Sequence, residues 1–261
     1  MLLYLESPSN PLLVVADVKA AVETVKSTNG DSIVAVDSTL GPPGVQQLSS
    51  CGVDVILHST TKYLGGHNDL MGGVVSTRGA LHRDFHEVRV LFGGVPAVDD
   101  AWLLSRSLKT HSLRVARMCD TAERVATFLS AHQTVAEVWY PFVGDTRRVE
   151  IARAQMARGG ALLSFAIRGG QDAARRFCNA LQIVQIASSM GGTATVVEVP
   201  GELDWSENDQ QACKPPIAGL RAIPPGLVRM SIGLEDADDL IADIDAALSG
   251  AGACAELGER G

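Results

Sequence analysis

Residues 53–62 read Val53-Asp54-Val55-Ile56-Leu57-His58-Ser59-Thr60-Thr61-Lys62. Val53 to Leu57 is a β-branched and apolar run of strand length, and it stops at a cluster of hydroxyl residues followed by a lysine. Upstream, Ile33 to Val36 is a second strand, ended by Asp37-Ser38-Thr39. Leu2 to Leu5 is a third, ended by Ser7-Pro8. Asp17 to Ser27 has helical spacing and an Asn29-Gly30 stop, and a short helix is expected over Gly44 to Ser50. Downstream, Met71 to Ser76 is a fourth strand. Strands separated by helical crossovers predict a parallel sheet covered on both faces.

Beyond the sheet, Asp99 to Ala131 is one long proline-free helical pattern. Its basic residues Arg106, Lys109, Arg114, Arg117 and Arg124 read as a solvated helix face rather than a binding stripe. A second unit follows. Its strands are Val135 to Tyr140, Ala161 to Ile167 and Val228 to Ile232; its helices are Arg148 to Met156, Gln171 to Leu181 and Asp236 to Leu248. The last helix opens on acidic residues, as the helix dipole favours. Residues 201–225 read as a polar, proline-rich loop and residues 250–261 as a small, polar tail. The expected division is a partial large domain over residues 1–115, a small C-terminal α/β domain over 116–249, and the tail.

The 261 residues carry a net charge of -8, so a nucleic-acid backbone would be repelled on average. Five scattered cysteines without a close pair suggest neither a disulfide framework nor a zinc site, and no metal is expected. No apolar run is long enough to span a bilayer, and no signal peptide is expected, since Met1-Leu2-Leu3-Tyr4-Leu5 runs straight into Glu6-Ser7-Pro8 without a basic leader. We expect neither nucleic-acid nor membrane partners.

Ligands of open α/β sheets bind beyond the carboxyl ends of the strands. Three segments end there: residues 6–11, 37–40 and 59–62. A partly desolvated lysine has a lowered pKa, and its neutral amine can attack a carbonyl. Lys62 is placed for this, with two hydroxyl residues before it that could hold a phosphate. Asp37, on the adjoining strand, could bond a protonated pyridine nitrogen and keep a ring cationic. Taken singly, Lys62 reads as a surface lysine and Asp37 as a turn or cap residue. The combination favours pyridoxal 5'-phosphate (PLP).

The string Ser59-Thr60-Thr61-Lys62-Tyr63-Leu64-Gly65-Gly66-His67-Asn68-Asp69 resembles the cofactor-lysine signature of the Cys/Met-metabolism PLP enzymes. Residues 6–11, Glu6-Ser7-Pro8-Ser9-Asn10-Pro11, resemble that family's ESPTNP segment, and Asp37-Ser38-Thr39 its DNT turn. Ser188-Ser189-Met190-Gly191-Gly192 resembles SLGG, and residues 226–236 resemble GLIRLSVGIED. The resemblance implies a fold type I PLP-dependent transferase, aspartate aminotransferase-like, here with a partial large domain whose sheet is mainly parallel. It implies that Lys62 carries the cofactor and moves protons, that Asp37 pairs with the pyridine nitrogen, and that Ser59 and Thr61 bind the phosphate. Asn10 would lie near the ring hydroxyl and the substrate carboxylate. Arg229 would grip that carboxylate, helped by Ser189.

Within the family, the form Gly65-Gly66-His67-Asn68-Asp69 and Ser188, where many lyases and bacterial synthases carry glutamate, resemble the cystathionine γ-synthases of the plant and related type. The implied reaction replaces the γ-substituent of an activated homoserine ester with cysteine. A cystathionine or methionine lyase, and a catalytically silent remnant serving as a binding subunit, are the alternatives. A nucleotide-binding Rossmann site is weaker, because no G-x-G-x-x-G follows the first strand. Small amino-acid substrates, a homo-oligomer of the dimer-of-dimers kind, and a cytoplasmic location, or a plastid one given a transit peptide, are expected. Family chains start well before this one, with a backbone phosphate cradle and a ring-stacking tyrosine. The expectation is a fragment or truncated chain that binds PLP weakly by itself and has open sheet edges.

Overall fold

The computed structural model describes residues 1–200, 223–224 and 226–253. Two sheets organise it. The first runs β1 (Leu2–Glu6), β2 (Ile33–Asp37), β3 (Val55–Ser59) and β4 (Gly73–Thr77), in that spatial order. Strands β1, β2 and β3 are parallel, and Glu6, Asp37 and Leu57 lie level at their carboxyl ends. Strand β4 pairs antiparallel with β3, so the sheet is parallel over three strands and reverses at the fourth.

Helix α1 (Val18–Thr28) returns the chain between β1 and β2. Asp17 caps it by accepting from Ala20 N at 3.0 Å. Val18 and Val22 pack on Val34, Val36 and Leu48, with Leu3 and Leu5 of β1 beside them. The opposite side of β1 carries Leu2 and Tyr4, 65% and 55% exposed, and β4 is largely exposed. The expected cover on both faces is therefore not present at these outer strands.

The expected helix over residues 44–50 is also replaced. Gln47 N donates to Gln155 O and Ala157 N to Val45 O, so this stretch pairs with the second unit; only Ser49–Cys51 makes a short 3-10 turn. Tertiary pairing outweighs a weak local preference here. Helix α2 (Gly79–Phe92), unanticipated from sequence, follows β4.

The long helical pattern breaks into α3 (Val98–Leu108) and α4 (His111–Ala131). At the break, Thr110 Oγ1 bonds back to Ser107 O. Four of the five basic residues are exposed as expected, and two of them meet carboxylates: Arg117 bonds Asp236, and Arg124 bonds Asp238. Arg114 does not fit that reading; it is buried.

The second sheet has the order β5 (Val135–Trp139), β6 (Leu162–Ile167), β9 (Leu227–Ser231), β8 (Val196–Glu198) and β7 (Gln185–Ile186). Every pair is antiparallel except β7 with β8. Helices α6 (Gly170–Ala180) and α7 (Ala237–Ala253) cover it, burying Phe165, Phe177, Leu240, Ile244 and Leu248. Helix α5 (Thr146–Gln155), capped by Asp145, joins β5 to β6. A shared cluster of Leu13, Tyr63, Met118, Cys119, Met156 and Met190 binds the two sheets together. Helix α4 contributes to this cluster with its first half and to the second core with its last. The expected loop over residues 201–225 lies almost wholly outside the described residues, as does most of the tail; the part of the tail to Ala253 is helical. Among the described residues, no helix is long and apolar enough to cross a membrane.

Candidate functional site

Asp37 closes β2. Its Oδ1 accepts from Thr39 N at 2.9 Å and from Thr39 Oγ1 at 2.6 Å. Thr39 Oγ1 in turn accepts from Ser59 N at 2.8 Å. One threonine hydroxyl thus ties the carboxylate at the end of β2 to the backbone at the end of β3. One side of the Asp37 carboxylate is fixed by the loop. Glu6 stands beside it across the β1–β2 pair, and burial, with a smaller push from Asp37, raises the Glu6 pKa.

After Ser59 the chain makes one wide turn of π type over Thr60–Leu64, closed by Gly65 N to Thr60 O at 2.8 Å. Lys62 sits inside it with φ -92 and ψ -128, outside the helical region. Such wide single turns concentrate at functional positions because they reorient one side chain. Arg114 braces the turn from α4. Its guanidinium donates to Tyr63 O at 3.3 Å, to Ser107 O at 3.1 Å and to Thr110 Oγ1 at 3.2 Å. Gly66, at φ +71, is needed here, since a Cβ would fall 1.8 Å from Arg114 Nη1.

The loop that follows β7 brings the second half of the site. Lys62 Nζ donates to Ser189 Oγ at 2.9 Å. Ser189 has φ +85, a left-handed conformation that costs a non-glycine residue about 1–3 kcal/mol and persists only where neighbours enforce it. Gly191, at φ +79, lets this loop reach the lysine turn: a Cβ would stand 2.8 Å from Tyr63 N. Arg229, on β9, donates to Ser189 O at 3.1 Å and to Asn10 Oδ1 at 3.0 Å. It also pairs with Glu198 at 2.9 Å.

Electrostatics follow from this crowding. Burial lowers the Lys62 pKa, Arg229 lowers it further, and Glu198 opposes both. A larger share of the amine is therefore neutral at a given pH than in an exposed lysine. Burial raises the Glu198 pKa, while Arg229 and Lys62 pull it down.

The structure thus gathers Lys62, Ser189, Arg229 and Asn10 in one contact group, and Asp37 and Ser59 in a second linked through Thr39. No direct bond joins Lys62 to Asp37 among the described residues. Thr61 Oγ1 accepts from Gly72 N at 3.0 Å, and its own proton has only a long 3.5 Å contact to Gly72 O, so the hydroxyl can turn to an anion. A cleft of about 550 Å³ opens beside Thr61 and Ser189, lined also by Asn68, Asp69 and Asp100. A larger cleft of about 670 Å³, between residues 12–15 and β5, contains none of these groups. Ser188 lines a third cleft together with Glu198, Ile186 and Cys178.

Three residues of the site were not assigned from sequence. Thr39 carried a signal, since it stood in the quoted turn. Arg114 was masked by four solvated neighbours of the same charge. Glu198 lies on a strand of three residues, too short for any period to reveal. The donor set suits PLP: a desolvated amine for its aldehyde, a pinned carboxylate for its ring nitrogen, and hydroxyl donors for its phosphate.

The family model described as Cys/Met metabolism PLP-dependent enzyme matches residues 1–249. The chain is 36% identical over 247 residues to the L-methionine gamma-lyase of Fusobacterium nucleatum, covering 94% of this chain and 61% of that protein. It is 38% identical over 249 residues to the cystathionine gamma-synthase of Mycobacterium tuberculosis, covering 95% and 61%. The crystal structure of cystathionine gamma synthase from Xanthomonas oryzae pv. oryzae, in complex with aminoacrylate and cysteine, superposes with TM-score 0.86 at 34% identity, covering 97% of this chain and 64% of that one. The chain spans about six tenths of the length of the curated relatives it matches.

Proposed function

This chain belongs to the Cys/Met metabolism family of PLP-dependent enzymes, and from that premise we propose that its protein replaces the γ-substituent of an activated homoserine ester with cysteine. The observation that carries the reading is the 2.9 Å bond from Lys62 Nζ to Ser189 Oγ, within a group that also holds Arg229. It sets a desolvated amine beside a guanidinium, as a reaction at the α-carbon of an amino acid requires.

PLP, when bound, supplies an electron sink for charge developing at the α-carbon. The chain's own residues supply the rest. Lys62 moves the α-proton and then a β-proton, so that the γ-substituent can leave and a thiol can add. Arg229, with Ser189 and Asn10, holds the substrate carboxylate. Asp37 would bond the pyridine nitrogen, and Ser59 and Thr61 would hold the phosphate.

A lyase that releases a keto acid and ammonia is the second reading, favoured by the 36% identity to a methionine gamma-lyase. Assay of the protein with PLP separates them. Cystathionine formed from an acyl-homoserine and cysteine supports the first; keto acid released from methionine or cystathionine, without cystathionine synthesis, supports the second. We also propose a homo-oligomer in the cytoplasm, with the exposed Leu91, Phe92, Val98 and Trp102 offering apolar contact surface.

A further inference from the structure

Strands β8 and β9 set Glu198 directly opposite Arg229. The carboxylate lies 2.9 Å from Arg229 Nη2, and the two side chains are only 12% and 8% exposed. This is not a surface partner that drifted into range, because backbone register places it there. Arg229 is therefore held by Asn10, Ser189 and Glu198 together. Glu198 also stands close enough to Lys62 for each charge to influence the other.

We infer that Glu198 is a built-in carboxylate on Arg229 that selects ligands by charge at that subsite, admitting a carboxylate that carries its own ammonium and disfavouring one that does not. The inference rests on the reading of Arg229 as the substrate-carboxylate residue. An arginine paired with glutamate still offers N–H donors, but its net positive field is cancelled. An amino acid brings its own ammonium to offset Glu198. A simple carboxylate does not, and a dicarboxylate brings two uncompensated charges. Repulsion between like charges is amplified in a half-buried, low-dielectric site. Selectivity gained by a repulsive group in this way is a general device.

A purely structural role predicts the opposite sign. If Glu198 merely steadied the guanidinium, neutralising it would loosen Arg229 and weaken every carboxylate ligand alike. The test is calorimetric titration of the PLP-treated protein with L-homoserine, propionate and succinate, on the unchanged protein, Glu198→Gln and Glu198→Ala. Propionate and succinate should bind the Gln variant at least roughly tenfold more tightly, because removing a like charge a few ångströms away at protein-surface dielectric is worth at least that. Homoserine should change far less. The Ala variant reads in the same direction if the Gln variant folds poorly. Equal strengthening of all three ligands, no change, or weakening overturns the inference. An Arg229→Leu variant that binds homoserine and propionate as before would show instead that the carboxylate reading of Arg229 is wrong, and the inference falls with it.

Discussion

Lys62 Nζ and Ser189 Oγ lie 2.9 Å apart although 127 positions separate them in the chain. Ser189 is held in a left-handed conformation at that point, and Gly191 beside it gives the approach its clearance. The contact is what joins the two sheets into one site. Gly191→Ala should therefore act on both stability and chemistry. The Cβ meets Tyr63 N at 2.8 Å, on top of a backbone strain of about 1–3 kcal/mol. Thermal denaturation should show a loss of that order, and reactivity of Lys62 toward PLP should fall with it.

Arg114 predicts a second effect away from any ligand. Its donors satisfy carbonyls on both the lysine turn and the end of α3. Arg114→Ala leaves those acceptors unpaired, at a cost of about 2–4 kcal/mol. Arg114→Lys should recover less than half, because a point charge cannot serve several acceptors as a planar fork does. Denaturant unfolding of the three proteins checks both the size and the order.

Thr39 predicts a loss confined to the cofactor. Thr39→Val severs the hydroxyl link from Asp37 to Ser59 N, bonds of 2.6 and 2.8 Å. One such bond contributes about 1 kcal/mol net. PLP affinity, followed by absorbance titration, should fall by roughly five- to tenfold, while Thr39→Ser, which keeps the hydroxyl, should lie close to the unchanged protein.

Lys62 titrates below its ordinary value of 10.5, through burial first and Arg229 second. A lysine depressed in the folded state binds fewer protons there than when unfolded. Its penalty on stability is full below the folded pKa, and stability rises with pH from there up to the unfolded value. The rate at which Lys62 reacts with a small aldehyde should accordingly reach its midpoint below pH 10.5. Glu198 pulls the other way, so Glu198→Gln should move the midpoint lower still.

Much of this was legible in the sequence, for identifiable reasons. Lys62 and Asp37 stood out because each ends a buried strand, and strand ends of such sheets are where ligands bind. The parallel order of β1 to β3 followed from the helical crossover and the short polar ends. The reversal at β4 did not, since a strand's direction leaves no mark on its own composition. Helix α2 escaped notice because it is wholly exposed or half-exposed and buries no apolar stripe. The break between α3 and α4 carries neither proline nor glycine; a Thr110 hydroxyl bonded to Ser107 O marks it. Arg114 and Glu198 were hidden because burial and cross-strand pairing are properties of the assembled chain. Strands β7 and β8, two and three residues long, are too short for any periodicity to register.

The central claim is that Lys62, and no other lysine, presents a desolvated amine to PLP. Borohydride reduction of the protein mixed with PLP, followed by peptide mapping, tests it most directly. The account predicts a pyridoxyl adduct on Lys62 that disappears in Lys62→Ala while the variant still folds. Label spread over exposed lysines such as Lys19 and Lys109, with Lys62 unmodified, would contradict it.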